Sequence, residues 1–338
     1  MPLSTLVFLV PGHLPDPDLP GALHWRNNEP QHPWQLTLCR LLGVDSDGAG
    51  TLPVARLLVD KAQRTESVVC ADPIYLRADR DTATLLPAPM LALREQESAD
   101  LIASLNAFVA ENGWRFFRDT RGRWFMAGLD GSALASYPPS FLAHRNASSF
   151  LPDGDDSEQW RRLMAEVQML LHTHPVNEAR EHRGQLPVNS LWFWGGGALP
   201  AVLPLSSQTS SLTVFADEPF AEALSHHLNV NHRPLQAFDP DVDVNAIVVD
   251  TRVANTAFEG DEQGMRDARK AIDANWLIPS CKRIAATRQG ILNVMNEDGD
   301  CGICDVSTLT QSGTSKSMMG SIIALSWMPE RVRGWIKR

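Results

Sequence analysis

The sequence predicts an α/β protein, with a mostly parallel sheet core flanked by helices and with an inserted α+β domain. Its 338 residues, 43% of them hydrophobic, can bury the cores of two domains. Strand and helix patterns alternate near both ends, whereas a helix–hairpin–helix pattern fills the middle. We expect a core domain from residues 1–70 and 190–338, and an inserted domain from residues 71–189.

The N-terminal part shows an apolar strand pattern over Leu3–Val10, which ends at Pro11-Gly12. A helix is predicted over Trp34–Leu42, with its apolar residues on one face. Ser67–Cys70 is predicted to be a short strand that leads through a turn into another strand. These elements supply the first part of the core and the entry to the insert.

The middle of the chain contains the clearest helix pattern, from Glu95 to about Ala110, with a stop signal at Asn112-Gly113. The following "WRFFRDTRGRWFMAG" has aromatic residues on two arms around a charged, glycine-containing turn, which indicates a hairpin. A further amphipathic helix buries Trp160 and Leu171 at the two ends of its apolar stripe. This pattern is typical of an α+β insert.

The C-terminal part returns to alternation. "SLTVFADEPFAEALSHHL" predicts a strand and a helix, and "NAIVVDTR" predicts a strand that ends in Asp250. "DEQGMRDARKAIDANWLIP" predicts a helix that stops at Pro279, and a hairpin is expected around Asp298-Gly299. Together with the first strand, these elements predict a parallel sheet.

Composition limits the function classes. A formal net charge of −10 argues against a general nucleic-acid or acidic-membrane binder, but local arginines can still bind anionic metabolites. Five cysteines in a chain of this length do not indicate a secreted disulfide framework. The N-terminal apolar run is short and lacks early Lys or Arg, so we interpret it as a buried strand and expect a cytoplasmic protein.

The segment Leu171–Gly197, "LHTHPVNEAREHRGQLPVNSLWFWGGG", is unusually rich in polar side chains. His172 and His174 would point the same way in an extended segment and could supply two metal ligands. Glu178 or His182 could add a third. The alternative is that a histidine beyond a helix end only complements the helix dipole, and we favour that reading because spacing defines no third ligand.

The same segment also suggests an anion site. Arg180 offers a fork of donors that fits phosphate or carboxylate, although an ion-pair cluster with neighbouring glutamates is the simpler explanation for Arg183. Gly195, Gly196 and Gly197 follow a Trp-rich strand, and in open α/β sheets ligands bind beyond the carboxyl ends of strands. The glycines match neither a P-loop nor a dinucleotide-binding fingerprint.

Several segments carry a family resemblance. The pattern HP-x-N, then Arg, Gly and Asn, then W-x-WG-x-G resembles archaeal-type cofactor-independent phosphoglycerate mutases of the alkaline phosphatase superfamily. It is still more similar to bacterial phosphoglycerate-mutase-like regulatory proteins of the RpfE type. "CADPIYLRADRD", "NGWRFFRDTRGRWFM" and "IVVDTRVANTAFEGDEQGMRDARKAIDANWLIP" resemble further elements in the same order, so the likeness spans roughly residues 65–280. The resemblance implies an alkaline-phosphatase-like core.

For catalysis, the resemblance implies two divalent metals held by aspartates and histidines, and a serine that transfers phosphate between the hydroxyls of glycerate. This chain departs from that pattern. Pro11-Gly12 stands where the first strand should end in a metal-binding aspartate, and no serine-bearing segment is evident between Gly43 and Thr65. The late loop "NTAFEGD" keeps Glu259 and Asp261 but lacks the histidine.

These observations leave three hypotheses. The first is a regulatory or metabolite-binding mutase-like protein without the full metal set, which binds a small phosphorylated or carboxylated metabolite between its domains. The second is an active cofactor-independent mutase or phosphatase with a divergent Mn or Zn site. The third is a zinc-binding protein that uses Cys301 and Cys304, although the CxxC is only half of such a site.

The candidate residues follow from these hypotheses. Those expected to bind the ligand are Arg77, Arg123, His174, Asn177, Arg180, Asn189, Trp194, Gly195, Gly196 and Gly197. No metal cofactor is expected, but if one is present its ligands would come from Asp16, His172, His174, Asp250, Glu259 and Asp261. Asp250 is the best single acid to test, because it ends a strand at the edge where ligands of this superfamily usually lie.

Overall fold

The structure is a computed structural model that describes residues 5–12, 24–27, 32–44, 54–60, 67–78, 80, 82–128, 134, 136–142, 145–152, 156–197, 199, 212–243, 245–287, 289–298 and 300–304. The chain divides into two compact units. We call Met1–Asp45 with Ala201–Arg338 the core unit, and Ser46–Pro200 the inserted unit.

The strands, in chain order, are β1 (Thr5–Leu9), β2 (His24–Asn27), β3 (Val68–Ala78), β4 (Ala83–Pro87), β5 (Arg115–Arg118), β6 (Trp124–Ala127), β7 (Ser190–Trp194), β8 (Thr213–Ala216), β9 (Asn231–Arg233), β10 (Ala246–Val249), β11 (Ile291–Met295) and β12 (Asp300–Cys304). The helices are α1 (Trp34–Leu41), α2 (Ala55–Leu58), α3 (Ala88–Leu91), α4 (Glu95–Val109), α5 (Pro139–Leu142), α6 (Ser157–His172), α7 (Pro175–His182), α8 (Pro219–His227), α9 (Arg252–Phe258), α10 (Glu262–Ile272) and α11 (Ile278–Thr287).

The described strands of the core unit form one sheet in the order β2–β12–β11–β1–β10–β8–β9. Strands β11, β1, β10, β8 and β9 run parallel, whereas β12 and β2 are antiparallel additions at one edge. Every residue of β1 and of β10 is buried, as expected for strands covered on both faces. The predicted mostly parallel core, built from both ends of the chain, is confirmed.

The helices of the core unit begin where the sequence places start signals. Pro219 occupies the first turn of α8, and the Asp261 side chain accepts a hydrogen bond from the Gly264 N–H at the start of α10. A π-helical stretch, Asp273–Leu277, joins α10 to α11. That stretch presents Trp276 to the buried aromatic ring of Phe8, with the ring centroids 6.4 Å apart.

The inserted unit has its own, wholly antiparallel sheet in the order β4–β3–β6–β5, with β7 also paired to β3. The predicted helix–hairpin–helix pattern is present as α4, the β5–β6 hairpin and α6. Strand β3 runs without a break through Asp72-Pro73, where the sequence predicted two shorter strands separated by a turn. This unit is the α+β insert.

Two expectations need correction. The insert extends from Ser46 to Pro200 instead of from residue 71 to residue 189, because β7 and the start of β3 pair with each other in the inserted sheet. Consequently Gly195, Gly196 and Gly197 follow an antiparallel strand of the insert, and the rule for carboxyl ends of parallel strands does not apply to them. Strand partners cannot be inferred from the periodicity of a single strand.

Candidate functional site

His174 is the N-cap of α7 and not part of an extended His-x-His ligand pair. Its Nδ1 accepts a hydrogen bond from the Val176 N–H, and its Nε2 lies 2.9 Å from the Ser104 hydroxyl oxygen. Burial lowers the pKa of His174, so the ring is neutral and its proton is on Nε2. The ring therefore donates to Ser104 and does not activate that hydroxyl as a nucleophile, whereas His172 is exposed at the end of α6.

Arg180 is buried inside the inserted unit, with only 1% of its surface exposed. Its guanidinium donates to a Glu97 carboxylate oxygen at 2.7 Å and to the backbone oxygens of Leu91 and Leu186 at 2.5 and 2.8 Å. Arg183 pairs with the other oxygen of Glu97. The expectation that Arg180 contacts a ligand is therefore corrected, because its donors tie α7 to α4 and to the chain before β7.

Asn177 and Asn189 complete backbone hydrogen bonding. The Asn177 amide donates to the oxygens of Leu171 and Val188 and accepts from the Val188 N–H. The Asn189 amide bonds both the N–H and the oxygen of Leu76, at 2.7 and 2.9 Å. A side-chain amide offers N–H donors and a carbonyl acceptor, as peptide groups do, so both asparagines serve the fold here.

Of the other predicted ligand residues, Arg77 is exposed on β3 and Trp194 is buried in β7. The Trp194 indole donates a hydrogen bond to the Asp72 carboxylate. Gly195 has a φ of 73° and accepts a hydrogen bond from the Ala55 N–H, while Gly196 is buried beside it. Gly197 has a φ of 124°, which favours glycine.

A cavity of about 530 Å³ lies within the inserted unit, between the β5–β6 hairpin, the α3–α4 connection and β3. Its charged lining residues are Arg118, Arg121, Arg123, Asp72 and Glu95. Burial raises the pKa of Asp72 to about 6, against the opposing effects of the Trp194 hydrogen bond and the Arg123 charge. Arg123 is the predicted ligand residue that the structure brings to this cavity.

Arg123 is largely neutralised by Asp119 at the base of the hairpin turn. Its Nε and Nη2 donate to the same Asp119 oxygen at 2.9 and 2.7 Å, and Nη2 also donates to the Leu58 backbone oxygen. The other Asp119 oxygen accepts from the backbone N–H groups of Arg121 and Arg123, at 3.0 and 2.8 Å. Asp119 thereby determines how the arginine-rich turn is oriented.

A second cluster of charged side chains lies at the carboxyl ends of the parallel strands in the core unit. Asp250 follows β10, has no exposed surface, and accepts hydrogen bonds from the backbone N–H, Nε and Nη2 of Arg252. The Arg252 guanidinium stacks over the Trp276 ring at 5.0 Å. Hydrogen bonds to Asp250, together with the charges of Asp250 and Asp217, raise the pKa of Arg252 against the effect of burial.

The neighbouring acids at this edge also have protein partners. Glu218 accepts a hydrogen bond from the Thr251 hydroxyl, and Asp217 accepts one from the Leu235 N–H at 3.0 Å. Sequence reasoning identified Asp250 but missed Arg252, Asp217 and Glu218. The available signal was that "FADE" and "VVDTR" both put acids directly after buried strands, which parallel pairing brings to one edge.

The remaining metal candidates are dispersed. Glu259 is exposed after α9, and Asp261 caps α10. Asp16 lies outside the described residues. Across the part of the chain that the structure describes, no three His, Cys, Asp or Glu side chains form a group that could hold a metal ion.

The two CxxC thiols do not form half a zinc site. Cys301 and Cys304 lie three residues apart on strand β12, so their side chains point to opposite faces of the sheet. Cys304 is buried in the core cluster, where it is hydrogen-bonded to the Cys281 thiol. This hydrogen bond and burial raise the pKa of Cys281, which keeps the thiol protonated.

Comparison with known proteins gives partial matches. No family model matches the chain. A stretch of 114 residues is 27% identical to a 2,3-bisphosphoglycerate-independent phosphoglycerate mutase of Methanosarcina barkeri, and it covers 33% of this chain and 29% of that protein. A stretch of 105 residues is 28% identical to a probable mutase of the same name from Geobacter sulfurreducens, covering 31% and 26%. The chain is similar to phosphoglycerate mutases of this kind.

The matched segments are short relative to these mutases. A stretch of 65 residues is 37% identical to the mutase of Methanothrix thermoacetophila, covering 19% of this chain and 17% of that protein. The sequence matches thus span less than a third of each mutase.

Two solved structures align over most of the chain. A cofactor-independent phosphoglycerate mutase from Thermoplasma acidophilum aligns with 15% identity and a TM-score of 0.39, over 89% of each chain. A Pyrococcus horikoshii protein aligns with 10% identity and a TM-score of 0.46, over 90% of this chain and 88% of that one.

Among the residues placed in the structure, no helix is long and apolar enough to cross a membrane.

Proposed function

We propose that this chain is a phosphoglycerate-mutase-like regulatory protein of the RpfE type, which binds a small phosphorylated or carboxylated metabolite and does not perform two-metal phosphoryl transfer. The observation that supports this most is the pairing of Asp250 with Arg252 at the carboxyl edge of the core sheet. The Arg252 guanidinium binds the Asp250 carboxylate, which the resemblance would make a metal ligand.

Charge and hydrogen bonding at Asp250 both disfavour a bound metal ion. A divalent cation needs carboxylate oxygens that are free to coordinate it. Both Asp250 oxygens already accept hydrogen bonds from Arg252, whose pKa is raised by that pairing. The Arg252 guanidinium also lies over the Trp276 ring, 5.0 Å from its centroid. The charge of Asp250 is thus balanced by the chain's own Arg252.

The end of β1 supports the same proposal. Pro11-Gly12 follows the strand, and the Gly12 backbone oxygen accepts a hydrogen bond from Arg269 at 3.0 Å. A Cβ at Gly12 would lie 3.2 Å from the Ala254 nitrogen, on a backbone with a φ of +73°. A metal-binding aspartate therefore does not fit at this position without local rearrangement.

The alternative function is an active mutase or phosphatase with a divergent manganese or zinc site. It is favoured by Asp217, Glu218 and Asp250, because these acids follow the adjacent strands β8 and β10. For such a site to form, Arg252 would have to release Asp250. We give the regulatory function precedence because the pairing satisfies Asp250 without a metal.

We propose that the chain needs no metal cofactor, that its partner is a small anionic metabolite, and that it works in the cytoplasm. The net charge of −10 supports a protein that binds neither nucleic acid nor acidic membranes.

The decisive test combines metal analysis with an activity assay. The purified chain is incubated with manganese or zinc, dialysed and analysed for metals, and the conversion of 3-phosphoglycerate to 2-phosphoglycerate is followed in a coupled assay. We expect neither stoichiometric metal nor turnover. About two bound ions per chain, with turnover that disappears in Asp250→Ala, would overturn the proposal and establish the alternative.

The role of Arg252 can be tested in the same assay. If its guanidinium replaces a cation, Arg252→Ala should bind manganese more tightly than the unmodified chain, because the Asp250 oxygens become available. Arg266→Ala is the matched control, since Arg266 contacts the exposed side chains of Glu262 and Gln263 on its own helix, α10. Equal manganese affinity in both variants would contradict this role.

A further inference from the structure

Two cysteines from different elements lie against each other in the interior of the core unit. Cys281 on α11 is 6% exposed, and Cys304 at the end of β12 has no exposed surface. Both belong to one buried hydrophobic cluster, in which the Cys281 thiol is hydrogen-bonded to the Cys304 thiol. Contact between the two sulfurs is the first geometric requirement for a disulfide bond.

The other three cysteines lie elsewhere. Cys301 is on the same strand as Cys304 but points to the opposite face of the sheet. Cys39 is on α1, and Cys70 is on β3 of the inserted unit. Cys281 and Cys304 are therefore the two cysteines of this cluster among the residues that the structure describes.

A bond between these sulfurs would join a helix to a strand of the core sheet. Strand β12 pairs with β11, with Cys304 opposite Leu292, and α11 immediately precedes β11 in the chain. The bond would close a loop that contains β11 and the β11–β12 turn. Closing such a loop restricts the unfolded chain and so stabilises the folded one.

The helix that carries Cys281 also leads to the carboxyl edge of the core sheet. Helix α11 continues directly from the π-helical stretch Asp273–Leu277, which contains Trp276. The Arg252 guanidinium lies over the Trp276 ring. A bond at Cys281 would therefore also restrain the helical segment that contacts Arg252.

We propose that Cys281 and Cys304 form a reversible dithiol–disulfide couple, which hydroperoxides oxidise and small thiols reduce. The Cys281 sulfur, the one with some exposed surface, attacks a peroxide oxygen, breaks the O–O bond and becomes a sulfenic acid, and one water is released. The Cys304 sulfur then attacks the sulfenic sulfur, which forms the S–S bond and releases a second water. Two electrons thus pass from the two thiols to one hydrogen peroxide, and exchange with two small thiols restores the dithiol.

Burial controls how readily this couple reacts. The hydrogen bond to Cys304 and burial raise the pKa of Cys281, so its thiol is protonated in the closed fold. Because the thiolate is the nucleophile, oxidation proceeds through local openings that expose Cys281. Transient disulfides of this kind are typical of redox sensors in the cytoplasm. The couple uses neither a metal nor the metabolite, so it is independent of the proposed function.

The test is thiol mapping of the full chain. The reduced protein is treated with hydrogen peroxide, remaining thiols are blocked with an alkylating reagent, and the unreduced digest is analysed by mass spectrometry. We expect a cross-linked peptide pair that joins Cys281 to Cys304, and recovery of both thiols with dithiothreitol. The oxidised chain should melt at least about 3 °C above the reduced chain, because the bond closes a loop.

Cys301→Ala is the matched control, because Cys301 lies on β12 but on the opposite face of the sheet. This variant should keep the cross-link and the rise in melting temperature, whereas Cys281→Ala should lose both. Mapping of the unmodified chain decides the matter even if a variant does not fold. Thiols that stay reduced, oxidation to sulfinic acid alone, a cross-link through Cys301, or an unchanged melting temperature would each overturn the proposal.

Discussion

At the scale of single residues, the carboxylate of Asp250 has the clearest dependence on a partner. It has no exposed surface, and three donor atoms of Arg252, the backbone nitrogen, Nε and Nη2, hydrogen-bond to it. Arg252→Ala removes the two side-chain donors and leaves the buried charge poorly compensated. We expect the free energy of unfolding to fall by about 2–3 kcal/mol, as measured by urea denaturation.

A double-mutant cycle provides the control for this prediction. In Asp250→Asn the charge is absent, so adding Arg252→Ala should cost at least about 1 kcal/mol less than it does in the unmodified chain. Arg266→Ala, which breaks exposed contacts with Glu262 and Gln263 on α10, should change stability by no more than about 0.5 kcal/mol. Strict additivity of the Asp250 and Arg252 substitutions would contradict a functional pair.

The raised pKa of Asp72 predicts how the stability of the fold depends on pH. Burial raises its pKa in the folded chain to about 6 from an ordinary value of 3.8. The folded chain therefore binds a proton that the unfolded chain releases between these values, and stability falls as pH rises from about 4 to about 6. The groups around Asp72 are the Trp194 indole and the Arg123 guanidinium, with Cys70 nearby on β3.

Asp72→Asn removes this dependence and keeps an oxygen to accept the Trp194 hydrogen bond. We compare the free energy of unfolding of the variant with that of the unmodified chain. The difference in favour of the variant should grow from pH 4.5 to pH 7.5, by at most roughly 3 kcal/mol. Asp100→Asn, at an exposed position on α4, is the control. If the stability difference caused by Asp72→Asn were the same at both pH values, the raised pKa would be refuted.

At the scale of elements, the junction between α6, α7 and β7 depends on one amide. Asn177 is buried and makes hydrogen bonds of 2.8, 2.7 and 2.8 Å to Leu171 and Val188. Asn177→Ala leaves three backbone groups without these partners, so unfolding should require about 2–4 kcal/mol less. Glu178→Ala, at the exposed neighbouring position, should change stability by less than about 0.5 kcal/mol. Equal effects in thermal denaturation would contradict this role.

The β5–β6 hairpin shows how an element positions charge. Asp119 is buried at the turn and holds the backbone of Arg121 and both the backbone and side chain of Arg123. This arrangement pairs Arg123 with Asp119, whereas the Arg118 and Arg121 side chains line the cavity outside this ion pair. The sequence pattern "RDTRGR" alone does not distinguish these three arginines.

At the scale of the whole molecule, charge predicts which partners are excluded. The chain carries 40 acidic and 30 basic residues, and the basic groups described above are largely paired with acids or backbone oxygens. We expect no binding of a labelled 20-base-pair DNA duplex in fluorescence anisotropy at 150 mM salt. Micromolar or tighter binding with a steep salt dependence would contradict the prediction.

Local sequence patterns were sufficient to predict most of the helices and strands. The apolar run of β1, the amphipathic stripes of α4 and α6, and the glycine-containing turn of the β5–β6 hairpin each follow from side-chain periodicity and turn chemistry. The parallel core from both chain ends followed from the alternation of strands and helices. Asp250 was identified because an acid directly after a buried strand lies at the sheet edge.

Which elements and side chains pair with one another became clear only from the folded chain. Local periodicity does not encode which distant segments pair or how a side chain is oriented. Three examples are the pairing of β7 with β3 in the inserted sheet, the burial of Arg180 against Glu97 and the pairing of Arg252 with Asp250. The sequence alone does not distinguish an arginine that binds a ligand from one that binds a buried carboxylate. Which of these it does depends on the acceptor that tertiary packing brings within about 3 Å of its nitrogens.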